Sequence, residues 1–101
     1  MPFDTLGLTP ALAQAAAASG FAAPTAIQAA AIPAILQGGD LRGSAQTGSG
    51  KTAAFSLPLL QRLAAEPASS ASRRLRALVL VPTRELAAQV GETLEDFARH
   101  L

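Results

Sequence analysis

The residues with the clearest chemistry form the segment Ala45-Gln46-Thr47-Gly48-Ser49-Gly50-Lys51-Thr52, which has the pattern of a phosphate-binding loop. Glycines at positions 48 and 50 let the backbone turn tightly, so that successive N–H groups point at a phosphate in front of the next helix. Lys51 is predicted to contact the β- and γ-phosphates, and the Thr52 hydroxyl to bind Mg²⁺. The general loop pattern begins with glycine, where this chain has Ala45.

Composition restricts the class of protein that could carry this loop. The chain has 101 residues, a net charge of +1 and no cysteine. This length suits one small domain or a part of a larger one, and the charge provides no broad basic field for unaided nucleic-acid binding. The sequence has no apolar stretch of the ~20 residues that span a bilayer and no signal peptide. We therefore expect a cytoplasmic protein without membrane association.

Two helices are predicted before the loop. Thr9-Pro10 combines a hydroxyl cap with proline at the first helical position, and Gly20 is placed to end the helix that follows. Residues Thr25–Gln28 fit a capping box, which predicts a second helix to about Leu36. Pro33 lies inside this helix and should bend it or mark a change of segment.

Strands and helices are predicted to alternate from the loop onwards. Residues 41–45 form a short predicted strand, and residues 51–65 a helix with an apolar face. The apolar run at 75–81 predicts a buried parallel strand, and a fourth helix follows over residues 83–99. This order is typical of an α/β fold with a parallel sheet.

Three motifs in this order resemble a DEAD-box ATP-dependent RNA helicase. Residues 20–28 (GFAAPTAIQ) are similar to the Q motif of that family, and Phe3 stands where the family has an isolated upstream aromatic residue. Residues 45–52 match motif I, including Ala45, and residues 82–87 (PTRELA) match motif Ia. Within bacteria the chain looks most like the RhlE-type branch.

The resemblance implies a fold and an activity. The fold would be the parallel sheet of a P-loop NTPase (RecA-like), flanked by helices and incomplete at its C-terminal side. Residues 1–29 would form the Q-motif region and residues 30–101 the N-terminal half of the ATP-binding domain, without the second RecA-like domain. The activity would be remodelling or unwinding of RNA with ATP and Mg²⁺. The isolated chain is expected to have negligible ATPase activity and marginal stability, because later strands of the family's sheet lie between those of motifs I and Ia.

The resemblance also assigns residues to the site. Lys51 and Thr52 would be catalytic, with Thr52 as the metal ligand. Backbone contacts to RNA would come from Pro82, Thr83 and Arg84. The residues implied in ATP binding are Phe3, Phe21, Thr25, Gln28, Ala45, Gln46, Thr47, Gly48, Ser49, Gly50, Lys51 and Thr52.

A simpler interpretation exists for several of these residues. Gln28 could complete the capping box instead of pairing with adenine N6 and N7, although one side chain could do both. Phe3 and Phe21 could be core residues instead of flanking the adenine. Thr83 and Arg84 could be a helix cap and a surface arginine.

Two other functions remain open at this point. A nucleotide-binding module without catalysis would bind ATP but not turn it over. A small-molecule kinase with a phosphate-binding loop would not depend on Gln28, and the match at residues 82–87 argues against it.

Overall fold

The computed structural model describes residues 2–44, 50–65 and 76–101. The helix Lys51–Ala65 packs against the three other α-helices of this part of the chain, most extensively against Ala26–Leu36. None of the described helices is both long and apolar enough to cross a membrane. The elements are a 3-10 helix, Pro2–Leu6, followed by α1 (Pro10–Ala18), α2 (Ala26–Leu36), α3 (Lys51–Ala65) and α4 (Arg84–Ala98).

The four predicted α-helices are confirmed, with ends within one or two residues of the predicted ones. Thr9 is the N-cap of α1 with proline at the first helical position, and Gly20 follows the helix with a φ of +97°. Thr25 is the N-cap of α2. Thr83 caps α4, since its side chain accepts a hydrogen bond from Leu86 N at 3.1 Å. Local signals in the sequence therefore determine where these helices begin.

Two prolines lie inside helices that continue past them. Pro33 is within α2 and Pro58 within α3. Each removes one intrahelical hydrogen-bond donor. Neither marks the end of a segment, so of the two outcomes expected for Pro33 the change of segment is wrong.

The predicted parallel sheet is not confirmed. In the described residues, 41–44 and 76–81 have no regular secondary structure, although strands were predicted over 41–45 and 75–81. A strand is stable only where its N–H and C=O groups pair with a neighbouring strand, and the described part of the chain contains no strand. Leu78 and Leu80 are 75% and 84% exposed, respectively. The apolar run therefore has the composition of a buried strand without the neighbours that would bury it.

The core lies between the N-terminal segment and α3. Its members are small or aliphatic residues and two phenylalanines, which lets the helices approach closely around a few large side chains. Leu57 of α3 is fully buried at its centre. Of the apolar face predicted on α3, Phe55, Leu59 and Leu63 are only half-buried. The buried cluster consists of Phe3, Leu8, Leu12, Ala13, Ala15, Ala16, Ile32, Ala53, Leu57 and Phe97.

Candidate functional site

A cavity of about 600 Å³ lies at the N-terminal end of α3. One wall brings together the predicted site residues Phe21, Gly50, Lys51 and Thr52. The opposite wall comes from α4, which the sequence had linked only to RNA. Its lining residues there are Leu86, Gln89, Thr93, Asp96 and Phe97.

The first turn of α3 is suited to an anion. Lys51 is the first residue of the helix and is exposed, and this turn contains no acidic residue. A cation at a helix N-terminus opposes the helix dipole, so Lys51 does not stabilise the helix that it begins. An anion in front of this turn would interact favourably with both the lysine and the free backbone N–H groups. Helix stability therefore does not explain a lysine at this position.

The negative charge on the cavity wall is paired. The Asp96 carboxylate accepts a hydrogen bond from Arg99 Nη1 at 2.7 Å. The two residues form an exposed ion pair and lie three positions apart at the end of α4. The arginine reduces the repulsion that the carboxylate would exert on an anion in the cavity. Sequence reasoning missed this pair as part of the site, because no motif covers residues 96–99.

Gln28 joins the start of α2 to the start of α3. Its Oε1 accepts a hydrogen bond from Thr25 N at 2.9 Å, and its Nε2 donates to Gly50 O at 3.3 Å. The first bond is the capping-box contact, and the second connects residues 22 positions apart. Gln28 has no exposed surface. A glutamine amide has two donor hydrogens and two acceptor lone pairs, so one of each remains beyond these two bonds.

Gly50 lies so close to this glutamine that no side chain fits at position 50. A Cβ built there would overlap Gln28 Nε2 and lie 3.1 Å from Thr25 Oγ1. Gly50 also has a φ of +86°, in the left-handed region that favours glycine. Thr25 Oγ1 itself is buried and has no hydrogen-bond partner among the described residues. The capping box is therefore packed directly against the residue before α3.

The two predicted aromatic residues occupy different environments. Phe21 is half-buried, lines the cavity and packs against the core cluster. Phe3 is 1% exposed and belongs to that cluster. The core interpretation thus describes Phe3 in this structure, whereas Phe21 presents part of its surface to the cavity.

The predicted RNA contacts lie together at the beginning of α4. Pro82, Thr83 and Arg84 are all exposed. The Thr83 side chain acts as an acceptor in its cap, which leaves its hydroxyl hydrogen free to donate. The structure therefore places one donor and one guanidinium at a helix N-terminus that faces solvent.

Five of the predicted phosphate contacts cannot be located. Ala45, Gln46, Thr47, Gly48 and Ser49 lie outside the described residues. Within the described ranges, no three His, Cys, Asp or Glu side chains cluster in a way that could hold a metal ion. Thr52, the predicted metal ligand, is half-buried at the cavity.

Gln61 is a residue that sequence reasoning missed. It lies on α3 and hydrogen-bonds to the backbone at Gly7 and Thr9. These partners are 54 and 52 residues away, so no local pattern could have identified the contact.

Comparison with known proteins places this arrangement in one family. The family model for DEAD/DEAH box helicases matches residues 25–101. The chain is 52% identical over 99 residues to the ATP-dependent RNA helicase DeaD of Escherichia coli (strain K12). It is 55% identical over 93 residues to the ATP-dependent rRNA helicase rrp3 of Aspergillus oryzae. These alignments include 98% and 92% of this chain, but only 15% and 19% of the respective relatives.

A solved structure agrees with this assignment. The RNA-helicase Prp28 from Chaetomium thermophilum, crystallised with ADP, is similar with a TM-score of 0.85 and 45% identity. The similarity includes 94% of this chain and 23% of that one. The chain therefore belongs to the DEAD/DEAH box helicase family. The finer resemblance to the RhlE-type branch is not confirmed, since the relatives named here are DeaD and rrp3 proteins.

Proposed function

We propose that this chain is the ATP-binding and RNA-contacting part of an ATP-dependent RNA helicase, with residues 1–29 as its Q-motif region. The observation that carries the proposal is the cavity at the start of α3, which Phe21, Lys51 and Thr52 share. The relatives are named ATP-dependent RNA or rRNA helicases, and the structural neighbour contains ADP. The whole protein would use ATP hydrolysis to remodel or unwind RNA in the cytoplasm.

In this proposal the phosphates lie in front of α3. Lys51 contacts the β- and γ-phosphates, and the backbone N–H groups of residues 45–49 surround them. Mg²⁺ prefers oxygen ligands and keeps several waters, so one threonine hydroxyl together with phosphate oxygens is a sufficient set. Thr52 supplies that hydroxyl, and the metal supplies positive charge to the phosphates when it is bound.

Gln28 identifies the base in this proposal. Its unused donor and acceptor match adenine N7 and N6, while its two existing bonds fix the amide plane. Phe21 flanks the base from the cavity wall, and the Thr25 backbone N–H holds the Gln28 amide. Phe3 is buried in the core cluster on which Phe21 packs, so in this proposal it supports that cluster and does not touch the base.

RNA binds at the beginning of α4 in this proposal. Thr83 and Arg84 contact phosphate and sugar groups, and Pro82 fixes the approach of the chain. Contacts to the backbone carry no sequence information, which suits an enzyme that acts on many RNA sequences. ATP and RNA would each favour the same closed state of the whole protein, and hydrolysis would release it.

Nucleotide binding tests the first half of the proposal. We would measure the dissociation constants of ADP and GDP with Mg²⁺ for the unmodified chain, Gln28→Ala, Lys51→Ala and the control Arg62→Ala. Lys51→Ala should weaken ADP by ~10- to 100-fold, the range expected for loss of a charged hydrogen bond. Gln28→Ala should remove the preference for ADP over GDP. Arg62 is exposed in the last turn of α3, so its replacement should change neither value.

Two results would count against this half. Binding without base preference in the unmodified chain would leave a general phosphate site and exclude the role of Gln28. Equal losses in Lys51→Ala and Arg62→Ala would show a nonspecific effect of charge. ATP binding with no turnover, even when RNA is added, would favour the non-catalytic nucleotide-binding module.

RNA binding tests the second half. Arg84→Ala should weaken the binding of single-stranded RNAs of unrelated sequence by the same factor. It should also reduce the slope of log affinity against log salt by ~0.7, the value for one phosphate contact to a single strand. Arg99→Ala, at the other end of α4, is the matched control and should leave the slope unchanged. An Arg84→Ala loss confined to one RNA sequence would contradict a backbone contact.

A further inference from the structure

The side chain of Gln61 connects α3 to the segment before α1 by two hydrogen bonds. Its Oε1 accepts from Thr9 N at 2.7 Å, and its Nε2 donates to Gly7 O at 2.8 Å. These two bonds are made on either side of Leu8, which is 5% exposed. The amide therefore binds both polar backbone groups that flank one buried residue, and we call this arrangement the Gln61 clasp.

The clasped segment carries Phe3 into the core. Phe3 and Leu8 belong to the cluster that contains Ala53 and Leu57 of α3. Ala53 is two positions after Lys51 along the same helix. The N-terminal segment thus shares a buried cluster with the first turns of α3, and Gln61 bonds to the segment from a point about two turns after Ala53.

The clasp holds the chain at a turn. Gly7 has a φ of +97° and changes the chain direction between the 3-10 helix and α1. Thr9 N is outside the intrahelical bonds of α1, because it belongs to the N-cap residue. Loss of Gln61 removes both of these bonds, whereas the apolar contacts of Phe3 and Leu8 have no preferred direction.

We propose that Gln61 is a positioning residue for nucleotide binding. It holds residues 7–9 on α3, and so fixes Phe3 in the buried cluster on which Phe21 packs. The inference rests on the proposed function for its nucleotide part. Gln61 has no predicted contact with the nucleotide, and its effect on the base is transmitted through the two phenylalanines.

This role predicts a difference between the two ends of a nucleotide. The aromatic support acts on the base, whereas Lys51 and the loop act on the phosphates. Loss of the clasp should therefore weaken a ligand that has a base and leave a ligand with phosphates alone unchanged. A residue needed only for overall folding would affect both ligands alike.

The first measurement follows Phe3 directly. The chain has four phenylalanines, so incorporation of 4-fluorophenylalanine gives four ¹⁹F resonances that single Phe→Leu variants assign. The solvent isotope shift between H₂O and D₂O reports the exposure of each ring. In Gln61→Leu the solvent isotope shift of the Phe3 resonance should rise toward its value in the denatured chain. The control Gln14→Leu replaces an exposed glutamine of α1 and should leave the shift near zero.

The second measurement compares ligands. Gln61→Leu should weaken Mg²⁺–ADP by ~5-fold, the scale for two exposed hydrogen bonds, and leave Mg²⁺–pyrophosphate unchanged. Gln61→Glu keeps the acceptor for Thr9 N but loses the donor to Gly7 O, so its ADP affinity should lie between those of the unmodified chain and Gln61→Leu. Gln14→Leu should match the unmodified chain with both ligands.

Each outcome decides the inference. Selective weakening of ADP together with exposure of Phe3 supports it. Parallel weakening of ADP and pyrophosphate overturns it, because Gln61 would then act on the whole fold. An unchanged Phe3 resonance in Gln61→Leu overturns it as well. If the unmodified chain binds neither ligand, the proposed function fails for this chain, and the Phe3 resonance alone decides whether Gln61 positions the segment.

Discussion

Two regions of the molecule differ in their side-chain hydrogen bonds: residues 2–44 with 50–65, and residues 76–101. In the first region Gln28 bonds to Gly50 and Gln61 bonds to Gly7, across 22 and 54 positions of the sequence. In the second region the side-chain bonds at both ends of α4 join residues three positions apart. The Arg76 guanidinium also donates to Leu63 O, 13 positions away. The helices of the first region are therefore joined by side-chain hydrogen bonds, whereas α4 has local side-chain bonds and is held to the rest by packing, with Phe97 in the core cluster.

Burial sets the segment before α4 apart from the core, since Phe97 of α4 is 3% exposed but Leu78 is 75% exposed. Leu57 in the first region is fully buried, whereas Leu80 in the second is 84% exposed. The candidate nucleotide site is built mainly on the first region and takes one cavity wall from α4. A ligand in that cavity would therefore contact α3, which is joined to distant residues by side-chain hydrogen bonds, and α4, which is held by packing and has local side-chain bonds. The difference suggests paired substitutions, one in each region.

The largest expected difference is between two leucines. Leu57→Ala should lower the free energy of unfolding by ~2–5 kcal/mol, because it leaves a cavity in the core. Leu80→Ala should change it by less than ~0.5 kcal/mol, since the side chain is already in water. Urea denaturation followed by circular dichroism measures both values. Equal losses would mean that Leu80 is covered in solution and that the contrast between the regions is wrong.

Two glycines should respond with opposite signs. Gly50→Ala places a Cβ against Gln28 at a φ of +86°, so it should destabilise by ~1–3 kcal/mol. Gly91→Ala lies in α4 with nothing within 4 Å of the new atom. It should stabilise by up to ~1 kcal/mol, because alanine is the better helix former.

The same denaturation experiment measures the two glycine variants. ADP binding by Gly50→Ala provides a second readout, since displacement of Gln28 should also reduce base preference. A neutral Gly50→Ala variant would show that the contact between Gln28 and Gly50 is loose in solution.

The smallest expected difference is between two helix caps. Thr83 accepts a hydrogen bond from Leu86 N, so Thr83→Ala should cost ~1 kcal/mol. Thr9 caps α1 without a side-chain hydrogen bond, and Thr9→Ala should cost only a few tenths of that value. Thermal unfolding of the two variants side by side checks the order. A larger loss in Thr9→Ala would indicate a cap bond in solution that this structure lacks.

The helices could be predicted because their signals are local. A hydroxyl residue before a helix, proline at its first position and glycine after its end act within a few residues. Thr9, Thr25 and Thr83 are all N-caps, as predicted. The capping-box role of Gln28 was also predictable, since its partner Thr25 is three positions away.

The remaining features depend on residues that are distant in the sequence. The bond from Gln28 to Gly50 and the Gln61 clasp require the packed arrangement of the helices, which no local pattern specifies. The burial of Phe3 is likewise set by the partners that surround it. The predicted strands are not confirmed for the same reason, because a strand needs a neighbour that the described residues do not provide.

The complete burial of Gln28 has a consequence for the speed of nucleotide binding. A base can reach its amide only after the groups that cover it have moved. On the proposed function, association would therefore contain a step that does not depend on nucleotide concentration, and its observed rate would level off at high concentration. Discrimination between adenine and guanine would then take place after the first encounter, during the rearrangement that uncovers the glutamine.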